Sequence, residues 1–334
     1  MGKRGAAMAS FQGKQTVGRI FQLGIHRREQ YLRMGAERRF AGPRVAYNLL
    51  RVGENPTDDE IRVFEDISFT LRTSNGTFRT TFRNRFPDVD AACVDVLRQF
   101  FPPEAALRVE DRAASHGLTS CEWARRLFAA FPAATMEASD LVLQLLELSV
   151  EGDGVFITEA DGTPLQYISP PFVVSLQGGE SWSNPLRRWI AARAAKRFAA
   201  LRLPRGWYEQ TNGPGYQVRP VPYIHPEAAG LAKSDSRFTF RRRSVFEQSP
   251  SPSDVVRTMN IFNRAYFSAE RLQQGFAAVW ESMKTGGMWI AGRSLEEDFS
   301  NQATLFRRNA TGWEVLERIG GCWELEEMAL AFLR

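Results

Sequence analysis

Apolar side chains recur at helical spacing along the first hundred residues of the chain. Apolar positions between residues 17 and 25 fall on one helical face, and those between residues 89 and 100 form a second face. Thr57, followed by three acidic residues, has the pattern of a capped helix start. Two prolines at positions 102 and 103 end the last of these helices. The pattern predicts a helical N-terminal module over residues 1–103.

Beyond the two prolines, short apolar runs alternate with segments of helical length, which is typical of strands and helices arranged around a sheet. The predicted strands are residues 107–111, 135–140, 155–159, 165–168, 237–240, 254–259, 288–291, 303–307 and 313–316, the third and fourth forming a hairpin. The predicted helices are residues 120–131, 184–201 and 269–283. Residues 204–236, rich in Pro and Gly, are predicted to be a long loop. We therefore expect an α/β domain over residues 104–334, with an insertion at about residues 150–236.

Composition excludes the classes of protein that do not build a core. The 334 residues are 43% hydrophobic and 24% charged, which is typical of globular proteins and excludes collagen-like and wholly disordered chains. The net charge of +5 comes from the first 45 residues, where basic residues far outnumber acidic ones. A solvated basic helix face explains this asymmetry more simply than nucleic-acid binding, because no basic strip interleaved with aromatics occurs in the α/β part.

Cysteine and histidine usage argues against disulfides and metal. The three cysteines are an odd number spread over more than two hundred residues, so they provide no disulfide framework and no Cys-x-x-Cys pair. The three histidines are isolated in sequence, and none has a metal-type ligand at the spacing of a zinc motif. The N-terminal residues lack the apolar stretch of a secretory signal, and no run reaches the roughly 18 apolar residues of a membrane span. We predict a cytoplasmic protein without a metal.

A turn of small residues follows the first strand of the α/β part. The strand ends in Asp111, and Ala113, Ser115 and Gly117 precede the next helix. A nucleotide-like ligand needs such a turn, because bulky side chains would keep it from the backbone and from the helix N-terminus. Asp140 ends the next strand, about twenty residues beyond the turn, where a carboxylate can accept hydrogen bonds from ribose hydroxyls. The alternative interpretation is an ordinary strand-to-helix loop with a solvated Asp140.

This arrangement resembles the class I S-adenosylmethionine-dependent methyltransferases, whose first motif is Asp-x-Gly-x-Gly-x-Gly after the first strand. Ala113 and Ser115 stand at two of the three glycine positions, which makes the turn stiffer. Residues 253–263 are similar to the family's fourth strand with its following loop, and residues 267–291 to its next helix and fifth strand. The resemblance covers about residues 105–320. It implies a Rossmann-like sheet, mostly parallel with an antiparallel last strand, and S-adenosylmethionine as the cofactor.

The resemblance also implies roles for individual residues. Asp111 and the backbone of the turn would hold the methionine end of the cofactor, Asp140 its ribose and Leu141 its adenine. The loop at Asn260 and Ile261 would lie beside the sulfonium. The implied cofactor-binding residues are Asp111, Ala113, Ser115, Gly117, Asp140, Leu141, Asn260 and Ile261.

Catalytic candidates cluster in the loop that begins at Asn260. Asn260, Asn263 and Tyr266 place two amides and an aromatic ring beside the expected reaction centre, and an aromatic face favours a sulfonium by cation–π attraction. The alternative is that Phe262, Tyr266 and Phe267 belong to the core and begin the next helix. His116, inside the first turn, is expected to face solvent.

The sequence leaves three functions open. The leading hypothesis is a transferase of secondary metabolism that moves the cofactor's methyl group to a small-molecule acceptor by in-line displacement, with positioning supplying much of the rate. A second is a cyclase or lyase in which the cofactor's own amino group expels methylthioadenosine. A third is a non-catalytic binding protein, motivated by Ala113 and Ser115. The N-terminal module is expected to act as a lid or as a homodimerisation unit.

Overall fold

The computed structural model describes residues 23–34, 44–74, 81–178 and 184–332. Its helices are α1 Arg28–Arg33, α2 Asp58–Thr70, α3 Pro87–Phe100, α4 Leu118–Ala130, α5 Pro185–Ala200, α6 Pro226–Ser234, α7 Ala269–Glu281 and α8 Glu326–Ala331. Its strands are β1 Arg108–Arg112, β2 Thr135–Asp140, β3 Gln144–Val150, β4 Val155–Glu159, β5 Pro164–Ser169, β6 Phe172–Ser175, β7 Asn212–Gly213, β8 Tyr216–Pro222, β9 Phe238–Arg242, β10 Ser253–Met259, β11 Met283–Ser294, β12 Asn301–Arg308 and β13 Trp313–Ile319.

The chain forms two compact units that each combine two separate stretches of sequence. Residues 1–78 and 144–221 form the first unit, and residues 79–143 and 222–334 form the second. This division differs from the expected boundary at residue 103. The reason is α3, whose apolar face, with Val89, Cys93 and Leu97 buried, packs into the same core as β1 and α4. Residues 79–103 therefore belong with the α/β sheet and not with the N-terminal residues.

The second unit is built on a seven-stranded sheet in the order β13-β12-β11-β10-β1-β2-β9. β9, β2, β1, β10 and β11 run parallel to one another, whereas β12 runs antiparallel to both β11 and β13. The expected α/β class and mostly parallel sheet are confirmed. The antiparallel strand is the last but one, not the last, because tight connections join β11, β12 and β13 as a meander.

Apolar residues cover both faces of this sheet. In β10, Val255 belongs to the core cluster formed with α3, α4 and α6, and its neighbour Val256 belongs to the cluster formed with α7 and α8. In β11, Ile290 and Trp289 divide in the same way. Side chains alternate between the two faces of a strand, so these continuous apolar runs mark strands buried on both sides.

The first unit holds a six-stranded sheet in the order β6-β5-β4-β3-β8-β7, in which the predicted hairpin appears as β4 and β5. Gln166 of β5 ties the N-terminal stretch to it, because its Oε1 accepts from Tyr47 N at 2.9 Å and its Nε2 donates to Val45 O at 2.8 Å. The predicted cap of α2 is confirmed, since Glu60 N donates to Thr57 Oγ1 at 3.3 Å. The expected helical face at residues 17–25 lies mostly outside the described residues.

Several predicted boundaries are wrong for identifiable reasons. The expected loop at 204–236 contains β8 and α6, whose Pro226 occupies the first helical turn, where proline is tolerated. β3 and β6 were not predicted. β11 begins at Met283 and runs through the expected Gly286-Gly287 turn, because Gly286 has a φ of 84° and absorbs an irregularity in the pairing with β10.

Neither membrane spans nor metal clusters are found in the described part of the chain. None of its helices is both long and apolar enough to cross a bilayer. Within the same residues, no group of three or more His, Cys, Asp or Glu side chains is arranged to hold a metal ion. Cys93 and Cys121 are buried free thiols, and Cys322 is an exposed one.

Candidate functional site

Exposed apolar side chains of the second unit concentrate where the parallel strands end. Leu141 follows β2, Tyr266 follows β10 and Phe299 follows β11, and they are 47%, 45% and 46% exposed. Ligands of open parallel sheets bind in the crevice outside the carboxyl ends of the strands. The candidate site therefore lies at this edge.

The turn after β1 takes the left-handed backbone conformation at three alternate positions. Ala113, Ser115 and Gly117 have φ angles of 59°, 55° and 81°. Left-handed geometry costs a residue with a Cβ roughly 1–2 kcal/mol, so Ala113 and Ser115 persist there only because their surroundings enforce it. A Cβ on Gly117 would lie 2.4 Å from Cζ of Phe240, so this position also excludes side chains sterically. The shape of a glycine turn is thus retained with only one glycine.

Asp140 holds this turn through its carboxylate. Oδ2 accepts a hydrogen bond from Ser115 N at 2.8 Å, and Oδ1 accepts one from Val142 N at 2.9 Å. The carboxylate is 4% exposed. The structure thus brings together the predicted residues Ser115 and Asp140.

Asp111 is engaged within the protein. Its Oδ1 accepts from Arg257 Nε at 3.0 Å, and its Oδ2 accepts from Arg257 Nη2 at 2.5 Å and from Ser120 Oγ at 2.6 Å. β1 and β10 pair with Asp111 opposite Arg257, and both residues are buried. These contacts make Asp111 a support of the turn, whereas the sequence resemblance implies direct contact with a ligand.

Arg257 also joins α3 to the sheet. Its Nη1 donates to Asp90 Oδ1 at 2.6 Å, and its guanidinium lies 4.2 Å from the centre of the Trp123 ring. Two carboxyl groups thus share one cation in a buried site. Burial raises the pKa of Asp90 to about 7 against the pull of Arg257. Burial disfavours the charged Arg257, but Asp111 and Asp90 outweigh it and raise the pKa of the guanidinium.

The loop after β10 also begins with a left-handed residue, Asn260, with a φ of 58°. Its Oδ1 accepts from Ser294 N at 2.7 Å, and its backbone N donates to Gly292 O at 2.8 Å. These bonds fix the amide beside the end of β11. Ile261, next in the chain, is half-buried against the apolar cluster of α7 and α8.

Farther along this loop, the remaining candidate residues differ in whether they shape the loop, face solvent or belong to the core. Asn263 Oδ1 accepts from Tyr266 N at 3.0 Å, so this amide shapes the loop. The Tyr266 ring is 45% exposed and is not a core residue. Phe262 is 1% exposed and belongs to the core, as its alternative interpretation held, and Phe267 packs on Phe246 with ring centres 5.1 Å apart.

Two buried polar atoms of the site have no hydrogen-bond partner within the described part of the chain. They are Ser115 Oγ, in the turn after β1, and Asn260 Nδ2, in the loop after β10. A buried polar atom left without a partner carries a desolvation cost of about 1–3 kcal/mol. Each of the two segments where the sequence resemblance locates the cofactor thus has one such atom, a hydroxyl in the turn and an amide donor in the loop, and the residues present fit such a ligand.

Sequence reasoning missed a segment at residues 81–86 that reaches both sides of this edge. Asn84 N donates to Glu122 of α4 at 3.0 Å, and Arg85 Nε donates to Ser294 Oγ at 3.1 Å. The segment was assigned to the N-terminal module because its pattern continues into α3. Its closely spaced aromatic and basic residues were the available signal.

A histidine cluster behind the turn was also missed. His116 is 0% exposed, so the expectation that it faces solvent is wrong. Its ring lies 5.5 Å from that of His225 and 5.8 Å from that of Tyr223, and its carbonyl oxygen accepts from His225 N at 2.7 Å. His225 Nδ1 accepts from Glu227 N at 3.2 Å and caps α6. The contacts lie about 110 residues apart in sequence, which local patterns do not reveal.

No protein-family model matches the chain, and no curated protein matches it significantly. Among solved structures, the chain is similar to an O-methyltransferase family protein from Burkholderia thailandensis, at 16% identity and a TM-score of 0.29, covering 81% of this chain and 53% of that one. It is also similar to an S-adenosylmethionine-dependent methyltransferase from Thiobacillus denitrificans in complex with S-adenosyl-L-homocysteine, at 16% identity and a TM-score of 0.27, covering 63% and 50%.

A third similar structure is an O-methyltransferase from neocarzinostatin biosynthesis, in complex with S-adenosyl-L-homocysteine and 1,4-dihydroxy-2-naphthoic acid. Here the identity is 11% and the TM-score 0.26, with 61% of this chain and 39% of that one covered. The matched part of this chain therefore spans about half or less of the length of these three structures.

Proposed function

We propose that the protein is an S-adenosylmethionine-dependent transferase that methylates a small-molecule acceptor. The observation that carries this proposal is the turn after β1. Ala113, Ser115 and Gly117 are left-handed at the three positions where the methyltransferase motif has glycine. The surrounding structure enforces this strained backbone without glycine at two of the positions, and the shape of the turn brings backbone close to a ligand at a helix N-terminus.

Each part of the cofactor has a candidate partner at this edge. The turn, with Ser115 Oγ, would hold the methionine end, and Asp140, which holds Ser115 N at the same edge, would accept from the ribose. Leu141, which is 47% exposed, would cover the adenine. Asn260 Nδ2 would lie toward the sulfonium side. When bound, S-adenosylmethionine supplies an activated methyl group.

The chain's own contribution is positioning. Asp111 keeps the turn in place through Arg257, and Asn260 is fixed by Ser294 N at 2.7 Å. Tyr266 offers an exposed aromatic face that can favour a neighbouring cation. Orienting two reactants can account for about 7–11 kcal/mol of a barrier, so methyl transfer to a nucleophilic atom does not require a dedicated general base.

The first experiment is incubation of the purified protein with S-adenosylmethionine alone, followed by mass spectrometry of bound and released nucleosides. The proposal predicts intact bound cofactor, and S-adenosylhomocysteine only after an acceptor is added. Release of methylthioadenosine without an acceptor would favour the cyclase hypothesis instead. Absence of binding would overturn both, and heat-denatured protein is the control.

We prefer a small-molecule acceptor to a macromolecular one because the exposed large apolar side chains at the carboxyl edge, Leu141, Tyr266 and Phe299, suit contact with a small apolar group. The cytoplasmic location and the role of residues 1–103 as a lid or homodimer contact stay predictions. Sedimentation of the full chain, with and without S-adenosylhomocysteine, would test the homodimer.

A further inference from the structure

Arg85 is the cation that the structure adds to the candidate site. Its Nε donates to Ser294 Oγ at 3.1 Å, and Ser294 is the residue whose backbone N holds Asn260. Ser294 Oγ in turn donates to Asn301 Oδ1 at 2.8 Å, and Asn301 Nδ2 donates to Asp88 Oδ1 at 2.7 Å. One chain of hydrogen bonds thus fixes the orientation of the Arg85 guanidinium and of the Asn260 amide together.

The surroundings of Arg85 are apolar on two sides. Its guanidinium carbon lies 5.3 Å from the centre of the Phe82 ring and 5.4 Å from that of Phe86. Burial lowers the pKa of Arg85 to about 10, and Tyr266 opposes this shift. The guanidinium still carries its charge at neutral pH. A cation held in an apolar setting interacts with an anion more strongly than it would in water.

Exposed aromatic rings lie next to this cation. Phe82 and Phe299 meet edge to face, with ring centres 5.2 Å apart, and Phe299 is 46% exposed. Phe299 has a φ of 60°, so the loop after β11 keeps a strained backbone where it presents this ring. Tyr266, which acts electrostatically on Arg85, is 45% exposed. Aromatic surface and positive charge thus meet beside Ser294, whose backbone N holds Asn260.

We infer that Arg85 anchors the carboxylate of an aromatic acid, which is the methyl acceptor, and that Phe82, Phe299 and Tyr266 contact its ring. This inference rests on the proposed function and adds its substrate class. A guanidinium suits a carboxylate because its planar fork can donate two parallel hydrogen bonds.

The test uses 2-hydroxybenzoate and two probes that each differ from it in one property: its amide 2-hydroxybenzamide, and the non-aromatic 2-hydroxycyclohexanecarboxylate. Their affinities for the full chain are measured by calorimetry with and without saturating S-adenosylhomocysteine. We expect 2-hydroxybenzoate to bind at least about tenfold more tightly than either of the others, because charge-assisted hydrogen bonds and ring contacts both contribute. Equal affinities for the acid and the amide would overturn the inference.

Variants assign the effect to this residue. Arg85→Gln is expected to lower the affinity for 2-hydroxybenzoate about tenfold while leaving that for the amide unchanged, and Arg85→Lys is expected to fall between. Phe299→Ala should weaken both aromatic probes. The matched control is Arg264→Gln, an exposed arginine in the loop after β10. Retained acid affinity in Arg85→Gln, or its loss in Arg264→Gln, would contradict the assignment.

Failure of the inference and failure of the proposed function give different results. Arg85→Gln should leave the affinity for S-adenosylhomocysteine within twofold, and circular dichroism should show an unchanged fold. If the wild type binds S-adenosylhomocysteine but shows no preference for the acid, the inference is wrong and the proposed function stands. If it prefers the acid, through Arg85, without binding S-adenosylhomocysteine, the anion site stands and the methyltransferase function is wrong.

Discussion

The turn after β1 and the loop after β10 follow neighbouring parallel strands and share two unusual features. Each has a left-handed residue other than glycine, Ala113 and Ser115 in the turn and Asn260 in the loop. Each has one buried polar atom without a partner in the described part of the chain. They differ in what holds them. The backbone N–H of Ser115 in the turn is fixed by Asp140, whereas the loop is fixed by the Asn260 amide side chain and exposes Tyr266.

This difference indicates that the two segments bind different parts of the ligand. The turn achieves its shape with the backbone, so it suits a part of the ligand that is the same in every reaction cycle. The loop, together with residues 81–86, presents side chains of several kinds and therefore suits the part that varies between enzymes. Substitutions that change backbone shape should affect the turn, and substitutions that remove side-chain groups should affect the loop.

The largest loss of stability is expected at Arg257, the buried residue of β10 that bonds to Asp111 just before the turn. Arg257→Met leaves the buried carboxyl groups of Asp111 and Asp90 without their cation, which should lower the free energy of unfolding by about 3–5 kcal/mol. Urea denaturation measures this loss. Arg264→Met, at an exposed position of the loop, is the control and should be neutral. Equal stability of the Arg257 variant would show that the buried pair does not support the two segments.

The same cluster predicts a pH dependence. The pKa of Asp90 is raised from 3.8 to about 7, so the folded state binds a proton more tightly than the unfolded state does. Its stabilising contribution is complete below about pH 4 and is lost as the pH rises to about 7, by up to about 4 kcal/mol.

Asp90→Asn removes this titration while keeping an acceptor for Arg257. The variant should therefore gain stability relative to the wild type as the pH rises from 4 to 8, measured by urea denaturation at each pH. Parallel stability curves for the two proteins would show that Asp90 does not titrate in this range.

Gly117→Ala tests the backbone of the turn. The left-handed φ of 81° and the Cβ contact with Phe240 at 2.4 Å together should cost about 3 kcal/mol of stability. Binding of S-adenosylhomocysteine should fall at least tenfold. Gly286→Ala is a matched control, since Gly286 has a φ of 84° and open space around its Cα. The control should cost only about 1 kcal/mol and leave binding unchanged.

Asn260→Gly tests the side chain of the loop. Glycine relieves the left-handed backbone but removes the amide, so calorimetry should show S-adenosylhomocysteine binding weakened by about fivefold, the equivalent of one hydrogen bond. Unchanged affinity would mean that Asn260 matters for backbone shape alone.

Ala113→Gly should give the smallest change in stability, and it should be a gain, whereas Gly117→Ala in the same turn should give a loss. Relief of the left-handed strain exceeds the added entropy of the unfolded chain by only about 0.5 kcal/mol, seen as a slightly raised melting temperature. Affinity for S-adenosylhomocysteine should stay within twofold. A marked loss of affinity would show that the methyl side chain itself contributes to binding.

Much of the secondary structure of the second unit could be predicted from the sequence, because it depends on patterns among neighbouring residues. The apolar runs of β1, β2 and β10 and the periodicity of α4 and α7 predicted these elements to within about two residues. Small residues after Asp111 predicted a ligand-binding turn, and the structure adds that Ser115 and Asp140 meet there.

The remaining features depend on contacts between distant residues. The first unit combines residues 1–78 with 144–221, and no local pattern records that Gln166 bonds to Tyr47. The hydrogen bonds from Arg257 to Asp111 depend on the register in which β1 pairs with β10. A lone arginine within an apolar strand does require a buried partner, so Arg257 was the one signal available in the sequence.

We propose that the turn after β1 and the loop after β10 form one cofactor site. Hydrogen–deuterium exchange of the wild-type chain, with and without S-adenosylhomocysteine, is the sharpest test because it reports on both segments at once. We predict slower exchange at residues 113–117 and at residues 260–263 in the same titration, with residues of the first unit unchanged. Protection of only one segment, or of neither, would show that the two segments do not form one site.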